Sequence, residues 1–223
     1  MPGKYYVLVM ITSIAIWGCQ SNQKSSSIQD ISPQQAHLKM TCHVNFYQED
    51  SLYVTEQEHL FTPASKSLQI SSKEPSGRYT WSLQGEQYSV KNVSGNKTFE
   101  NLYNKAYLQA IYYGMMSSAQ WLPLEQARQE EPVRIEGKWY IPYLLTKKDA
   151  TIRLMKNQFN DRFEQVIVQK DNQIYQVLCY NLRFVNELNH NLPRTIDIFD
   201  ATDGLSSKKL RVKVQYHTTE VTP

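Results

Sequence analysis

Leu38-Lys39-Met40-Thr41-Cys42-His43-Val44-Asn45-Phe46-Tyr47 is the stretch that decides the fold class. Leu38, Met40, Cys42, Val44 and Phe46 share one phase, and Lys39, Thr41, His43, Asn45 and Tyr47 share the other. Successive side chains of a strand point to opposite faces, so this period of two predicts a strand buried on one face only. The pattern returns near the other end of the chain. There Leu210, Val212, Val214 and Tyr216 alternate with Arg211, Lys213, Gln215 and His217. One-sided burial is the habit of antiparallel sheets, because parallel ones are covered on both faces.

Working outward, strand patterns follow at Tyr53 to Phe61, Leu68 to Ser72, Tyr79 to Leu83 and Gln87 to Lys91. Glu49-Asp50-Ser51, Thr62-Pro63-Ala64, Glu74-Pro75-Ser76-Gly77 and Gly85-Glu86 separate them as turns. Later strands are expected at Val133 to Ile135, Lys138 to Ile141, Thr151 to Met155, Arg162 to Lys170 and Gln173 to Tyr180. Asn181 to Asn191 reads as irregular or a short helix, and Pro193 opens a strand whose Ile196 and Ile198 face inward. About a dozen strands at this spacing describe an antiparallel meander.

One segment breaks the alternation. From Asn101 to Trp121, Leu102, Ala106, Ala110 and Tyr113 fall at helical spacing. Tyr103, Tyr107, Tyr112, Met115, Met116 and Trp121 widen the apolar band, which predicts a helix covered on more than one side. Gly114 interrupts it, Pro123 stops it, and Leu124 to Gln129 offers one more turn. Two readings stand side by side. The helix either plugs the concave face of the sheet as ordinary core, or lids a cavity for an apolar ligand. On the second reading the cavity residues are Trp81, Leu102, Ala106, Tyr113, Met115, Met116 and Trp121, since Met and aromatic side chains adapt to varied ligand shapes.

Composition narrows the function. The 223 residues are 41% hydrophobic and 20% charged, which makes a globular chain large enough for its own core. The 15 Tyr against 8 Gly favour strands with amphipathic faces. A net charge of +3 without a basic block argues against nucleic acid. No nucleophile elbow, phosphate loop, dinucleotide fingerprint or Cys-x-x-Cys occurs, so neither an enzyme nor a cofactor or metal site is expected. His43 and His217 lie on the polar phases of strong strands and read as solvent-facing.

The start of the chain supplies an address. Lys4 precedes a mainly apolar run from Tyr5 to Trp17, followed by Gly18-Cys19, the layout of a cleavable export signal. A run of that length is short for a span, which needs about 20 apolar residues. Ile16-Trp17-Gly18-Cys19 resembles the bacterial lipoprotein cleavage box, which implies residues 1–18 as signal peptide and Cys19 as the site of diacylglyceryl and acyl (palmitate) lipid. Residues 19–27 are then the lipidated Cys and a polar tether, and 28–223 a single domain. Ser32-Pro33-Gln34-Gln35 reads as the start of a short helix. With Cys19 lipidated, Cys42 and Cys179 remain; they either pair as a disulfide or stay separate buried thiols.

The order of elements, with Phe61-Thr62-Pro63, Leu68-Gln69-Ile70, Arg78-Tyr79-Thr80-Trp81, Gly85-Glu86-Gln87-Tyr88 and Leu192-Pro193-Arg194-Thr195-Ile196-Asp197-Ile198, resembles the LolA/LolB-like superfamily. The resemblance covers residues 28 to 218. It implies a mainly β (α+β) fold, an antiparallel unclosed β-barrel of about eleven strands with a helical insertion over its concave face. It also implies a non-catalytic carrier or acceptor of lipid, acyl chains or lipoproteins. Membrane lipid through Cys19 is an expected partner. The alternative is a structural or interaction lipoprotein with no ligand cavity, paired with another envelope protein. Gln20 stands where Asp would mark inner-membrane retention, so the periplasmic face of the outer membrane is the expected location.

Overall fold

The computed structural model describes residues 35–49, 51–74, 77–94, 102–122 and 124–222. The signal segment, Cys19, the tether and the Ser32-Pro33-Gln34 helix start lie outside the described residues.

The first strand, β1 (His37–Gln48), buries Leu38, Met40, Cys42, Val44 and Phe46. β2 (Ser51–Thr62), β3 (Ser67–Glu74), β4 (Gly77–Gln84) and β5 (Gln87–Ser94) follow as successive hairpins. A helix, α1 (Lys105–Ser118), then crosses to the second half. That half comprises β6 (Arg128–Gln129), β7 (Val133–Ile135), β8 (Lys138–Thr146), β9 (Thr151–Asn157), β10 (Phe163–Lys170), β11 (Gln173–Val185), β12 (His190–Asp200) and β13 (Lys209–Thr222).

All thirteen strands form one sheet, in the order β5-β4-β3-β2-β1-β13-β12-β11-β10-β9-β8-β6, with β7 also on β8. Each neighbouring pair is antiparallel. The two stretches with the clearest alternation, β1 and β13, are partners at the centre of this sheet. Among the described residues its ends, β5 on one side and β6 with β7 on the other, do not pair, so the barrel is unclosed.

Among the described residues the strand count exceeds the expected dozen, and the eleven that the resemblance implied, by the two-residue β6 on β8; β7 lies where a strand was expected. Leu124–Gln126 is a single 3-10 turn rather than a continuation of the helix. β11 runs on through Val185 where an irregular stretch was expected, and the 3-10 turn shrinks to Asn186–Leu188. Pro193 lies inside β12, not at its start. There β12 pairs only with β11, because its pairing with β13 begins at Thr195, so the missing N–H of proline costs the sheet nothing on that side.

The helix is shorter than the apolar segment because its ends are capped. The Asn104 side chain accepts from the Tyr107 N–H at 2.8 Å. At the other end Gln120 turns left-handed with φ +57°. Trp121 N–H then donates to Met116 O at 2.9 Å and Gln120 N–H to Ser117 O at 3.0 Å, a Schellman stop. In between, α1 packs on β10, β11 and β12 and reaches β3 and β4.

The concave face is filled. Leu108, Ile111 and Met115 of α1 are each 0% exposed. At about 1.5–3 kcal/mol for each such side chain, these three hold the helix down by roughly 5–9 kcal/mol. That is comparable to the whole stability of an ordinary domain, about 5–15 kcal/mol. The helix is therefore core, and the lid reading fails for most of its length.

Candidate ligand site

The seven residues expected to line a cavity separate into two groups. Trp81, Leu102, Ala106 and Met115 are buried in the solid core. Trp81 stacks on Tyr79 at 5.7 Å between centroids and meets Tyr103 edge-on at 5.1 Å. Such offset and edge contacts leave no room for a ligand between the rings. Tyr113, Met116 and Trp121, by contrast, line one pocket of about 250 Å³.

That pocket lies at the last turns of α1. The β2–β3 turn gives Pro63, Ala64 and Lys66, and the β8–β9 hairpin gives Leu145 and Lys147. Tyr112, Leu122 and Gln126 complete it. Its walls are mostly apolar, with Lys66 and Lys147 as cations. The indole Nε1 of Trp121 is buried with no hydrogen-bond partner among the described residues. A buried unpaired donor costs about 1–3 kcal/mol. Burial, with a smaller contribution from Glu86, pushes the Tyr113 phenol up to about 12, so it stays a neutral hydroxyl.

A second, larger cleft of about 710 Å³ opens where β10 and β11 part. β10 pairs with β11 only as far as the Gln165–Leu178 pair, while β11 continues to Val185 on β12 alone. The cleft is polar. Its Glu164 carboxylate accepts from Lys138 at 3.1 Å, Tyr140 at 3.1 Å, Asn157 at 2.9 Å and Asn160 at 2.8 Å. Burial alone would raise this carboxyl, but the bonds from Asn160 and Lys138 outweigh it and hold the group below its ordinary value. Gln165 donates to the Tyr140 hydroxyl at 2.9 Å, and Gln176 to Gln165 at 2.7 Å. The chain of bonds ties the cleft wall together.

A second polar cluster sits under the helix. His59 is 0% exposed. Its Nε2 faces Gln57 Oε1 at 3.2 Å and its Nδ1 faces the Tyr216 hydroxyl at 3.0 Å. A carboxamide oxygen only accepts, so Nε2 carries the proton and Nδ1 accepts from Tyr216. Tyr103 also donates to Gln57 Oε1, at 2.8 Å. Burial pushes His59 down to about 3, so the ring is neutral.

Cys42 and Cys179 are free thiols, which removes the disulfide alternative. They lie on β1 and β11, with β13 and β12 between them. Three inter-strand steps of about 4.8 Å separate them by roughly 14 Å, and a disulfide needs Cα atoms within about 7 Å. Burial pushes the Cys179 thiol up to about 12, and burial with Glu56 raises Cys42 as well. Among the described residues, no three of His, Cys, Asp and Glu gather to hold a metal, and no helix is long and apolar enough to cross a membrane.

The pocket residues from the β2–β3 turn and the β8–β9 hairpin carried no signal in the sequence. They reach α1 only because the sheet curls and brings distant turns together.

No family model and no curated relative matches the chain. Among solved structures, it is similar to a LolA superfamily protein from Nitrosomonas europaea, at 12% identity over 86% of this chain and 88% of that chain, with a TM-score of 0.50. It is also similar to a DUF1329 family protein from Desulfovibrio piger, at 6% identity over 83% and 85%, TM-score 0.48. A domain from Vibrio parahaemolyticus described as an outer membrane lipoprotein-sorting protein aligns at 6% identity over 87% and 88%, TM-score 0.46. The fold is thus the LolA-like unclosed barrel: among the described residues, one antiparallel sheet curled around α1.

Proposed function

We propose that this protein is a non-catalytic envelope lipoprotein, anchored to the outer membrane through lipid on Cys19, whose LolA-like barrel binds one acyl chain beside the last turn of α1. The observation that carries this reading is the apolar pocket walled by Tyr112, Tyr113, Met116, Trp121, Leu122 and Leu145. Its volume of about 250 Å³ is just under the range of about 300–1,000 Å³ usual for small-ligand sites. It therefore suits a single chain and not a whole multi-acyl anchor. Lys66 and Lys147 at its edge suit an anionic head. The test is lipid extraction and mass spectrometry of protein purified from envelopes. The wild type is expected to return about one acyl lipid per chain beyond any covalent lipid. Met116→Trp, which fills the pocket, is expected to return none. A wild type that carries no more lipid than Met116→Trp refutes the reading.

The filled concave face favours a second reading, an interaction lipoprotein whose barrel holds no ligand. One stoichiometric protein partner recovered from solubilised envelopes, without lipid, would support it.

A further inference from the structure

Two histidines far apart in sequence meet on the outer face of the sheet. The register between β1 and β13 shifts between Thr41 and Cys42: Thr41 faces Thr218, but Cys42 faces Tyr216. His217 is the extra residue of this β-bulge. It and Thr218 are consecutive and both exposed, which breaks the alternation of β13. The bulge thereby sets an additional side chain beside the exposed His43. His217 Nε2 lies 2.8 Å from His43 Nδ1, and the ring planes cross at 68° with centroids 4.3 Å apart.

The two nitrogens share one proton at a separation that also suits a metal. Imidazole nitrogens bind divalent transition metals at about 2.0–2.1 Å. Two such bonds at right angles place their nitrogens about 2.9 Å apart, the cis spacing of a tetragonal centre. The observed 2.8 Å needs almost no approach of the strands.

We propose that His43 and His217 form a two-imidazole surface site for a divalent transition metal, with copper(II) held more tightly than zinc. Copper stands at the top of the affinity order for nitrogen ligands, and its tetragonal preference matches the cis spacing. A metal about 2.0–2.1 Å from both nitrogens lies off the line that joins them, so each ring turns to aim its lone pair at it and the bridging proton is displaced. That proton moves to the other nitrogen of its own ring, so both imidazoles stay neutral and no proton is lost. Water takes the remaining positions. The site lies on the face of the sheet opposite α1 and is independent of the acyl pocket.

The test is titration of the full-length protein with copper(II) alone, read by electron paramagnetic resonance and by competition with a chelator of known affinity. One copper per chain with hyperfine structure from two nitrogens is expected. His43→Ala and His217→Ala should each leave at most one of those nitrogens and weaken binding by at least about 10-fold. His190→Ala, whose ring Nδ1 is engaged with Leu188 O at 2.8 Å, should leave both the spectrum and the affinity unchanged. Melting of the metal-free variants at the wild-type temperature shows that the fold is intact, as expected for exposed positions. No copper bound, or the same affinity and two-nitrogen pattern in both His43→Ala and His217→Ala, overturns the proposal.

Discussion

Gly114 is where α1 comes closest to the sheet, and Gly114→Ala measures how tightly the two are pressed together. A Cβ built there would meet Cys179 Sγ at 3.0 Å, Val177 Cγ1 at 3.3 Å and Ile196 Cδ1 at 3.8 Å. Two effects compete. Alanine is favoured over glycine inside a helix by about 0.8–1.0 kcal/mol. Extra volume in a filled core costs about 1–3 kcal/mol. Val177 and Ile196 are 0% exposed and have nowhere to retreat, so packing should win. The expected result is a net loss of up to about 2 kcal/mol. Cys179→Ala removes the nearest atom and should by itself cost about 1 kcal/mol, the usual size for a point substitution. In the double variant the main clash is gone and the helix gain remains. The pair should therefore be more stable than the sum of the single effects by about 1–3 kcal/mol. Urea unfolding followed by tryptophan fluorescence measures all four proteins, with an unchanged m-value as the check that only stability moved. A Gly114→Ala protein stabilised by the full helical gain, with no coupling to Cys179, would refute the close approach of α1 to β11.

Two further outcomes follow from buried titratable groups. His59 is held down at about 3 by burial, against 6.5 in the unfolded chain, so between those values the unfolded state binds the extra proton. Stability is then full above pH 6.5 and falls as pH drops, by up to about 1.4 kcal/mol per pH unit from this group. Urea midpoints at pH 7, 6 and 5 should show this slope in the wild type and a shallower one in His59→Met; equal slopes would exclude His59 as the source. Cys42 and Cys179 should both take iodoacetamide in denaturant without any reductant, and only slowly in the native state, because the buried Cys42 and the half-buried Cys179 are both kept protonated. A disulfide-linked peptide of the two in a mass map would contradict the placement of β1 and β11.

The fold was largely legible because strands with one buried face write their period into the sequence. Leu38 to Phe46 and Leu210 to Tyr216 alternate so regularly that their strands could be placed to within a few residues. The helix was legible from the loss of that alternation, though its ends were not. Asn104 and Gln120 cut it back at both sides by capping, which is a matter of a few local bonds rather than of periodicity. The end of β11 was missed because burial does not alternate there: Asn181, Leu182, Arg183 and Phe184 are all exposed, and only Val185 returns to the core.

The site was less legible, for a different reason. Composition singled out Trp81, Leu102, Ala106, Tyr113, Met115, Met116 and Trp121 as apolar, but an apolar side chain fills a core and lines a pocket equally well. Only the position of α1 against β10, β11 and β12 decides that Met115 is packed solid while Met116, one residue on and also buried, lines the pocket. The same holds for His43 and His217, whose solvent-facing phase was evident but whose meeting depends on a single bulge. The sequence by itself determined the class of secondary structure, the antiparallel habit and the presence of one buried helix, because burial on one face imposes a short-range period. Tertiary structure alone decided which strands are neighbours, which thiols are apart and where a ligand could fit, because those depend on chain segments that no local period connects.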